Sequence, residues 1–205
     1  MFTGIVTAIG TIELAERRGD LHLRITCPFD PDAIAIGASI ACSGVCLTVV
    51  ERGGRAGEAW FAVDVSAETE SRTAKGLWRE GRRLNLEQSL KVGDELGGHI
   101  VSGHVDAVGT VADWQPVGDS TRLIIRAPQP LAPFIAPKGS VALDGVSLTV
   151  NEVTDRLDGS VEFAVNIIPH TAEVTTLGDI AQGAQLNVEI DTVARYLQRM
   201  ESLRR

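Results

Sequence analysis

The sequence predicts an all-β protein of two duplicated domains, each an antiparallel sandwich or closed barrel, followed by a single helix. Three observations carry this. The chain repeats itself at an offset that creeps from 99 to 102 residues. Apolar residues alternate with period two through most of both copies. Turn residues punctuate those runs at regular spacing, as in antiparallel folds made of many short strands.

The repeat is legible segment by segment. Residues 2–12 (FTGIVTAIGTI) match 101–111 (VSGHVDAVGTV), with Gly4/Gly103, Val6/Val105, Ala8/Ala107, Gly10/Gly109 and Thr11/Thr110 identical. Residues 39–51 (SIACSGVCLTVVE) match 140–152 (SVALDGVSLTVNE) at eight of thirteen positions. Residues 61–69 match 163–171, and Gly81-x-x-Leu84-Asn85-Leu86-Glu87 returns as Gly183-x-x-Leu186-Asn187-Val188-Glu189. A period of this length suits a duplicated domain and is too long for a solenoid unit.

In chain order, residues 21–26, 61–65 and 84–87 alternate as half-buried strands do, and 123–126 and 161–165 play the same parts in the second copy. Ser43-Gly44 and Asp144-Gly145 each sit between apolar runs, and Asp-Gly there signals a two-residue hairpin. Short helices are expected at 29–36 and 131–136, and again at 69–77 and 171–180. Residues 90–99 (LKVGDELGGH) carry the glycines and charges of a boundary. The predicted domains are 1–98, 99–190 and a terminal helix at 191–205. In that helix Val193, Tyr196, Leu197, Met200 and Leu203 form one apolar stripe behind Asp191, a favourable N-terminal residue. The stripe either packs on its own domain or serves assembly.

Composition excludes several classes. Net charge is −8, with no basic cluster beyond Arg82-Arg83 and the last two residues, so nucleic acid is not an expected partner. No apolar run is long enough to span a membrane, and the first residues lack the basic n-region of a signal peptide. Three cysteines (Cys27, Cys42, Cys46) cannot all pair, which fits a reducing cytoplasm. No metal site is expected: Cys42-x3-Cys46 has no second ligand pair, and His99 and His104 match no ligand spacing. No Gly-rich loop opens a helix, so no nucleotide cofactor is expected.

Positions where the copies diverge are the candidates for chemistry. Cys46 faces Ser147, Ile5 faces His104, Ser43 faces Asp144, Glu68 faces His170, Phe2 faces Val101 and Gly37 faces Lys138. Cys46 is open to two readings, a nucleophile or a small buried strand residue. His104 is open to general acid/base work or to structural hydrogen bonding.

Taken together, MFTGIV at 1–6, GVCLTV at 44–49, GGHIVSGHVD at 97–106, DGVSLTVN at 144–151, NIIPHT at 166–171 and NVEID at 187–191 resemble the riboflavin synthases, the duplicated lumazine-binding family. The resemblance covers essentially the whole chain. It implies two six-stranded antiparallel Greek-key barrels, each binding one 6,7-dimethyl-8-ribityllumazine. It also implies a homotrimer held by the terminal helices, with each active site shared between the N-terminal barrel of one subunit and the C-terminal barrel of its neighbour. The implied reaction is a dismutation that needs no cofactor, in which one lumazine gives a four-carbon unit to another.

The resemblance places Gly4, Ile5, Val6, Cys46, Leu47, Thr48, Asp64, Val65, Ser66, Ala67, Glu68 and Thr69 in the N-terminal pocket. It places Gly103, His104, Val105, Lys138, Ser147, Leu148, Thr149, Asn166, Ile167, Ile168, Pro169, His170 and Thr171 in the C-terminal one. Phe2, Cys46, His104, Ser147, Thr149 and Asp191 are the catalytic candidates, with Cys46 and Ser147 serving nucleophile activation and proton transfer and His104 assisting. Ser43 departs from the family, which usually has Asn before this Gly. A lumazine synthase shell is a candidate further partner. The rival expectation is a carrier or antenna protein that binds lumazine or flavin without turning it over.

Overall fold

The computed structural model describes residues 1–204. Six strands make the first half: β1 (Ala8–Arg18), β2 (Asp20–Cys27), β3 (Ser39–Cys42), β4 (Val45–Arg55), β5 (Glu58–Val65) and β6 (Arg83–Gln88). They close into an antiparallel barrel in the order β1-β2-β5-β4-β3-β6. Period-two alternation sends Leu23, Ile25, Phe61, Val63, Leu84 and Leu86 inward, where they form the core. Closure leaves no free edge, so every strand's backbone is paired without a second sheet.

The second half repeats the plan with β7 (Ala107–Val117), β8 (Ser120–Ala127), β9 (Ser140–Leu143), β10 (Val146–Thr149), β11 (Glu152–Asp155), β12 (Val161–Ile167) and β13 (Gln185–Ile190). Its core of Leu123, Ile125, Phe163, Val165, Leu186 and Val188 is the repeat image of the first. The expected six strands are seven here, in a curled sheet rather than a closed ladder, because the counterpart of β4 is interrupted into β10 and β11. The cause is one bulge common to both halves. In β4 the register shifts between Val49 and Glu51, leaving Val50 unpaired. In the second half Asn151 stands at that place, donates its N–H to the Ala164 carbonyl at 2.8 Å, and divides the strand.

The helices expected at 29–36 and 131–136 are only 3-10 turns, Pro31–Ala33 and Gln129–Phe134. Prolines 28, 31, 128, 130 and 133 remove the N–H donors that an α-helix there would need. Those expected at 69–77 and 171–180 begin earlier and are shorter: α1 (Ala67–Arg72) and α2 (Pro169–Val174), the latter continued by a 3-10 turn at Thr176–Asp179. Ser66 caps α1 by accepting the Thr69 N–H.

The halves meet about a pseudo-two-fold axis through their β3–β4 and β9–β10 turns. Ser43 and Asp144 hold φ of 46° and 45°, followed by Gly44 and Gly145 at 80° and 79°. Both turns are therefore of the mirror type that right-twisted hairpins favour, and Ser43 adopts it without the usual Asn. A Cβ on Gly44 would lie 2.8 Å from the Gly145 nitrogen, so the two turns touch back to back. Asn85 Nδ2 donates to the Asp144 carbonyl at 2.9 Å, and Asn187 Nδ2 to the Ser43 carbonyl at 2.8 Å. Their amide oxygens accept from Thr176 and Ala74 across the same seam.

The chain ends in α3 (Thr192–Ser202), capped by Asp191, whose Oδ1 accepts the Val193 N–H at 2.9 Å. Arg195 anchors it to the second barrel through Asp106. No residue of α3 is buried, and Val193, Tyr196, Leu197, Met200 and Leu203 are all exposed. The stripe is not packed on its own domain. Among the described residues no helix is long and apolar enough to cross a membrane.

Candidate active site

The segment before each barrel does not stay with its own barrel. Phe2 and Val101 pair with each other across the seam, with N–H to carbonyl distances of 2.8 and 3.0 Å. Beyond that bridge the arms cross. The Ser147 N–H donates to the Gly4 carbonyl at 2.8 Å, and the Cys46 N–H donates to the Gly103 carbonyl at 2.8 Å. Val6 packs on the second core and Val105 on the first. Gly4 and Val6 reach Ser147 and the second core, and Gly103 and Val105 reach Cys46 and the first.

Only glycine permits the crossing. Gly4 has φ of +74° and Gly103 +79°, and a Cβ on either would stand 2.6 Å from the Cβ of Ser147 or Cys46. Two buried carboxylates hold the arms. Glu87 accepts from the Thr3 N–H (2.6 Å), Thr3 Oγ1 (2.7 Å) and the Gly4 N–H (2.9 Å). Glu189 accepts from the Ser102 N–H, Ser102 Oγ, the Gly103 N–H and the His104 N–H at 2.6 to 3.1 Å. Burial pushes the Glu87 carboxyl up, against the pull of its donors at Thr3 and Gly4. Neither glutamate was singled out for chemistry from sequence, although the repeated Leu-Asn-x-Glu motif marks both.

The remaining candidates fall around these crossings. Cys46 is the half-buried cysteine, whereas Cys27 and Cys42 are buried. Burial pushes both of those thiols up, so neither is a ready thiolate. Thr48 and Thr149 are exposed while their neighbours Leu47 and Leu148 are buried, as strand alternation requires. Asp64, Val65, Ser66, Ala67, Glu68 and Thr69 run from the end of β5 into α1, beside β4. Asn166, Ile167, Ile168, Pro169, His170 and Thr171 run from the end of β12 into α2. Val65 and Ile167 are buried, and most of the others are exposed on an open face. Lys138 is exposed and takes φ of +66°, the conformation its repeat partner Gly37 takes at +82°.

Three of the catalytic candidates are held in other ways. Phe2 is fully buried in the seam with Ala41, Val101 and Ala142. The His104 side chain is exposed, and its backbone N–H is held by Glu189. Asp191 caps α3. The histidine that touches a candidate nucleophile is His99, whose Nδ1 lies 2.7 Å from Ser147 Oγ. Among the described residues no group of three or more His, Cys, Asp or Glu side chains could hold a metal ion.

Set beside known proteins, residues 3–89 and 102–191 each match the model of the lumazine binding domain. A riboflavin synthase of Brucella abortus is 50% identical over 204 residues, spanning 98% of both chains. That of Photobacterium phosphoreum is 41% identical over 202 residues, 98% of this chain and 88% of its own. Among solved structures, LumP complexed with 6,7-dimethyl-8-(1'-D-ribityl)lumazine superposes with a TM-score of 0.74 over 93% of this chain and 99% of its own, at 24% identity.

Proposed function

The chain belongs to the lumazine-binding family and within it to the riboflavin synthases, and from that premise we propose how its two halves divide one reaction. The enzyme is a transferase of riboflavin biosynthesis. It converts two 6,7-dimethyl-8-ribityllumazine molecules into riboflavin and 5-amino-6-ribitylaminouracil by moving a four-carbon unit from one to the other. The atoms of two substrates equal those of the two products, so the reaction calls for no external oxidant, reductant or cofactor.

One observation carries the division of roles: two sites share a framework and differ in reactive groups. Each barrel binds one lumazine beside its exposed threonine, Thr48 or Thr149, against the loop running into α1 or α2. Cys46, with the arm of Gly103, His104 and Val105, furnishes the first site. Ser147, with the arm of Gly4, Ile5 and Val6 and with Lys138, furnishes the second. Phe2 is a positioning residue, since its ring is sealed in the seam where both arms begin.

Fixing two rings in reactive contact supplies about 7–11 kcal/mol of barrier reduction. Each site lies open on its own barrel, so that contact requires a second subunit. The exposed stripe of α3 supports a homotrimer in which the first barrel of one subunit faces the second barrel of the next. The three free thiols support residence in a reducing cytoplasm, and a lumazine synthase assembly is the candidate partner that would supply substrate.

Incubation of the purified protein with 6,7-dimethyl-8-ribityllumazine alone should give riboflavin and the pyrimidine in equal amounts. Binding without turnover would make this a carrier or antenna instead.

A further inference from the structure

The Ser147 site contains a buried side chain that nothing above has used. His99 comes from the segment joining the barrels and is 92% buried, its exposure being 8%. Its backbone N–H donates to the Thr3 carbonyl at 3.1 Å, which fixes the ring over the second barrel's hairpin. Nδ1 lies 2.7 Å from Ser147 Oγ, and Nε2 is buried with no hydrogen-bond partner. A structural histidine normally satisfies both nitrogens. This one is engaged at one end by a candidate reactive hydroxyl and is free at the other.

Burial holds the imidazole below its ordinary range, while the carboxylates of Asp191 and Glu189 pull the other way, Asp191 more strongly. The ring is thus neutral near pH 7 and able to accept a proton, and two nearby anions stabilise the cation once it forms. That is the electrostatic arrangement of a neutral base whose cation is offset by nearby charge. The Cys46 side differs: Gly103 covers it through the backbone, and among the described residues no side chain hydrogen-bonds the sulfur.

Resting on the riboflavin synthase activity, we propose that His99, not His104, is the positioning residue of the Ser147 site, holding the Ser147 hydroxyl and taking its proton as Ser147 receives the proton leaving the substrate's C7 methyl. The methyl C–H bond breaks, its electron pair spreads into the pyrimidinedione, the proton passes to Ser147 Oγ, and the Ser147 hydroxyl proton passes to His99 Nδ1. Charge and atoms balance, and the cation left on His99 returns its proton at a later step of the same turnover.

The experiment is the pH profile of kcat, with lumazine affinity measured in parallel, for wild type, His99→Asn, Ser147→Ala and the double variant. Asn places an amide where Nδ1 stood, so it can hold Ser147 but cannot take its proton. Wild type should lose kcat on the acid side as His99 becomes protonated. His99→Asn should lose about 100-fold in kcat, keep its affinity, and lack that acid limb. The double variant should be no slower than Ser147→Ala, because the two act as a unit. Full activity in His99→Asn, an acid limb that persists in Ser147→Ala, or multiplying losses in the double variant would each overturn the inference. A wild-type chain that failed to turn over would sink the assigned activity instead.

Discussion

Cys46 and Ser147 occupy one place in two copies of one barrel, each beneath the carbonyl of a glycine contributed by the other half. Their surroundings differ in three ways. A buried histidine backs the serine and none backs the cysteine. A helix follows the second barrel and not the first. The seam residue preceding the turn glycine is Asp144 on one side and Ser43 on the other. The difference teaches where function entered: the framework, its arm-holding carboxylates included, is duplicated faithfully, while the candidate reactive groups and the terminal helix are not.

The largest effect should come from the helix. Truncation after Asp191 leaves β13 and the second core intact but removes the exposed stripe. Sedimentation should show a folded monomer, and turnover should fall by at least about 100-fold, the scale of losing the positioning of one substrate. A truncated chain with full activity would mean that each barrel pair is sufficient by itself.

Next are the crossings. Ala at Gly4 or Gly103 must adopt a left-handed conformation and meet a Cβ at 2.6 Å. Each should cost about 3 kcal/mol in urea unfolding, combining backbone strain with overpacking. A difference above about 1 kcal/mol between the two would break the symmetry claimed for the framework.

Cys46→Ser makes the first site resemble the second. It should keep the melting temperature and lumazine binding yet lose about 10-fold or more in kcat, since a thiol is the stronger nucleophile and the easier to ionise. Cys42→Ala should leave the rate near normal. Wild-type turnover by Cys46→Ser would reduce Cys46 to a packing residue.

The smallest effect concerns the seam. Burial raises the Asp144 carboxyl to about 7, against the weaker pull of the Asn187 N–H and Arg82. The folded chain therefore keeps a proton that the unfolded chain releases above about pH 4. Stability from this group is intact below that pH and is lost as pH rises towards about 7. Asp144→Ser, which copies Ser43, should gain a few degrees in melting temperature on wild type across that window, and no more above it. An unchanging gap between the two melting curves would mean that Asp144 stays ionised in the fold.

Much of this could be read from the residues. The internal repeat located both barrels, alternation picked out Leu23, Phe61 and Leu84 as core, and the spacing of Val193 to Leu203 drew the helix. Three things were not legible. Alignment of the copies says nothing of contacts between them, so the exchange of arms that joins Gly4 to Ser147 was not visible in it. Prolines at 28, 31, 128, 130 and 133 reduced the short helices expected between the strands at 29–36 and 131–136 to 3-10 turns. His99 has no repeat partner, so comparison of the copies could not single it out, and only the folded linker brings it onto Ser147.

The back-to-back contact of Gly44 and Gly145 has a further meaning for how such a protein can change. A contact in which each side meets its own image is the isologous kind found in symmetric dimers. In a dimer of identical chains any substitution alters both sides at once, so a residue useful on one side must be tolerated on the other. Enclosed within one polypeptide, the same contact lets each side mutate alone. The axis at these two glycines can stay frozen while a few residues away cysteine and serine, or serine and aspartate, go separate ways.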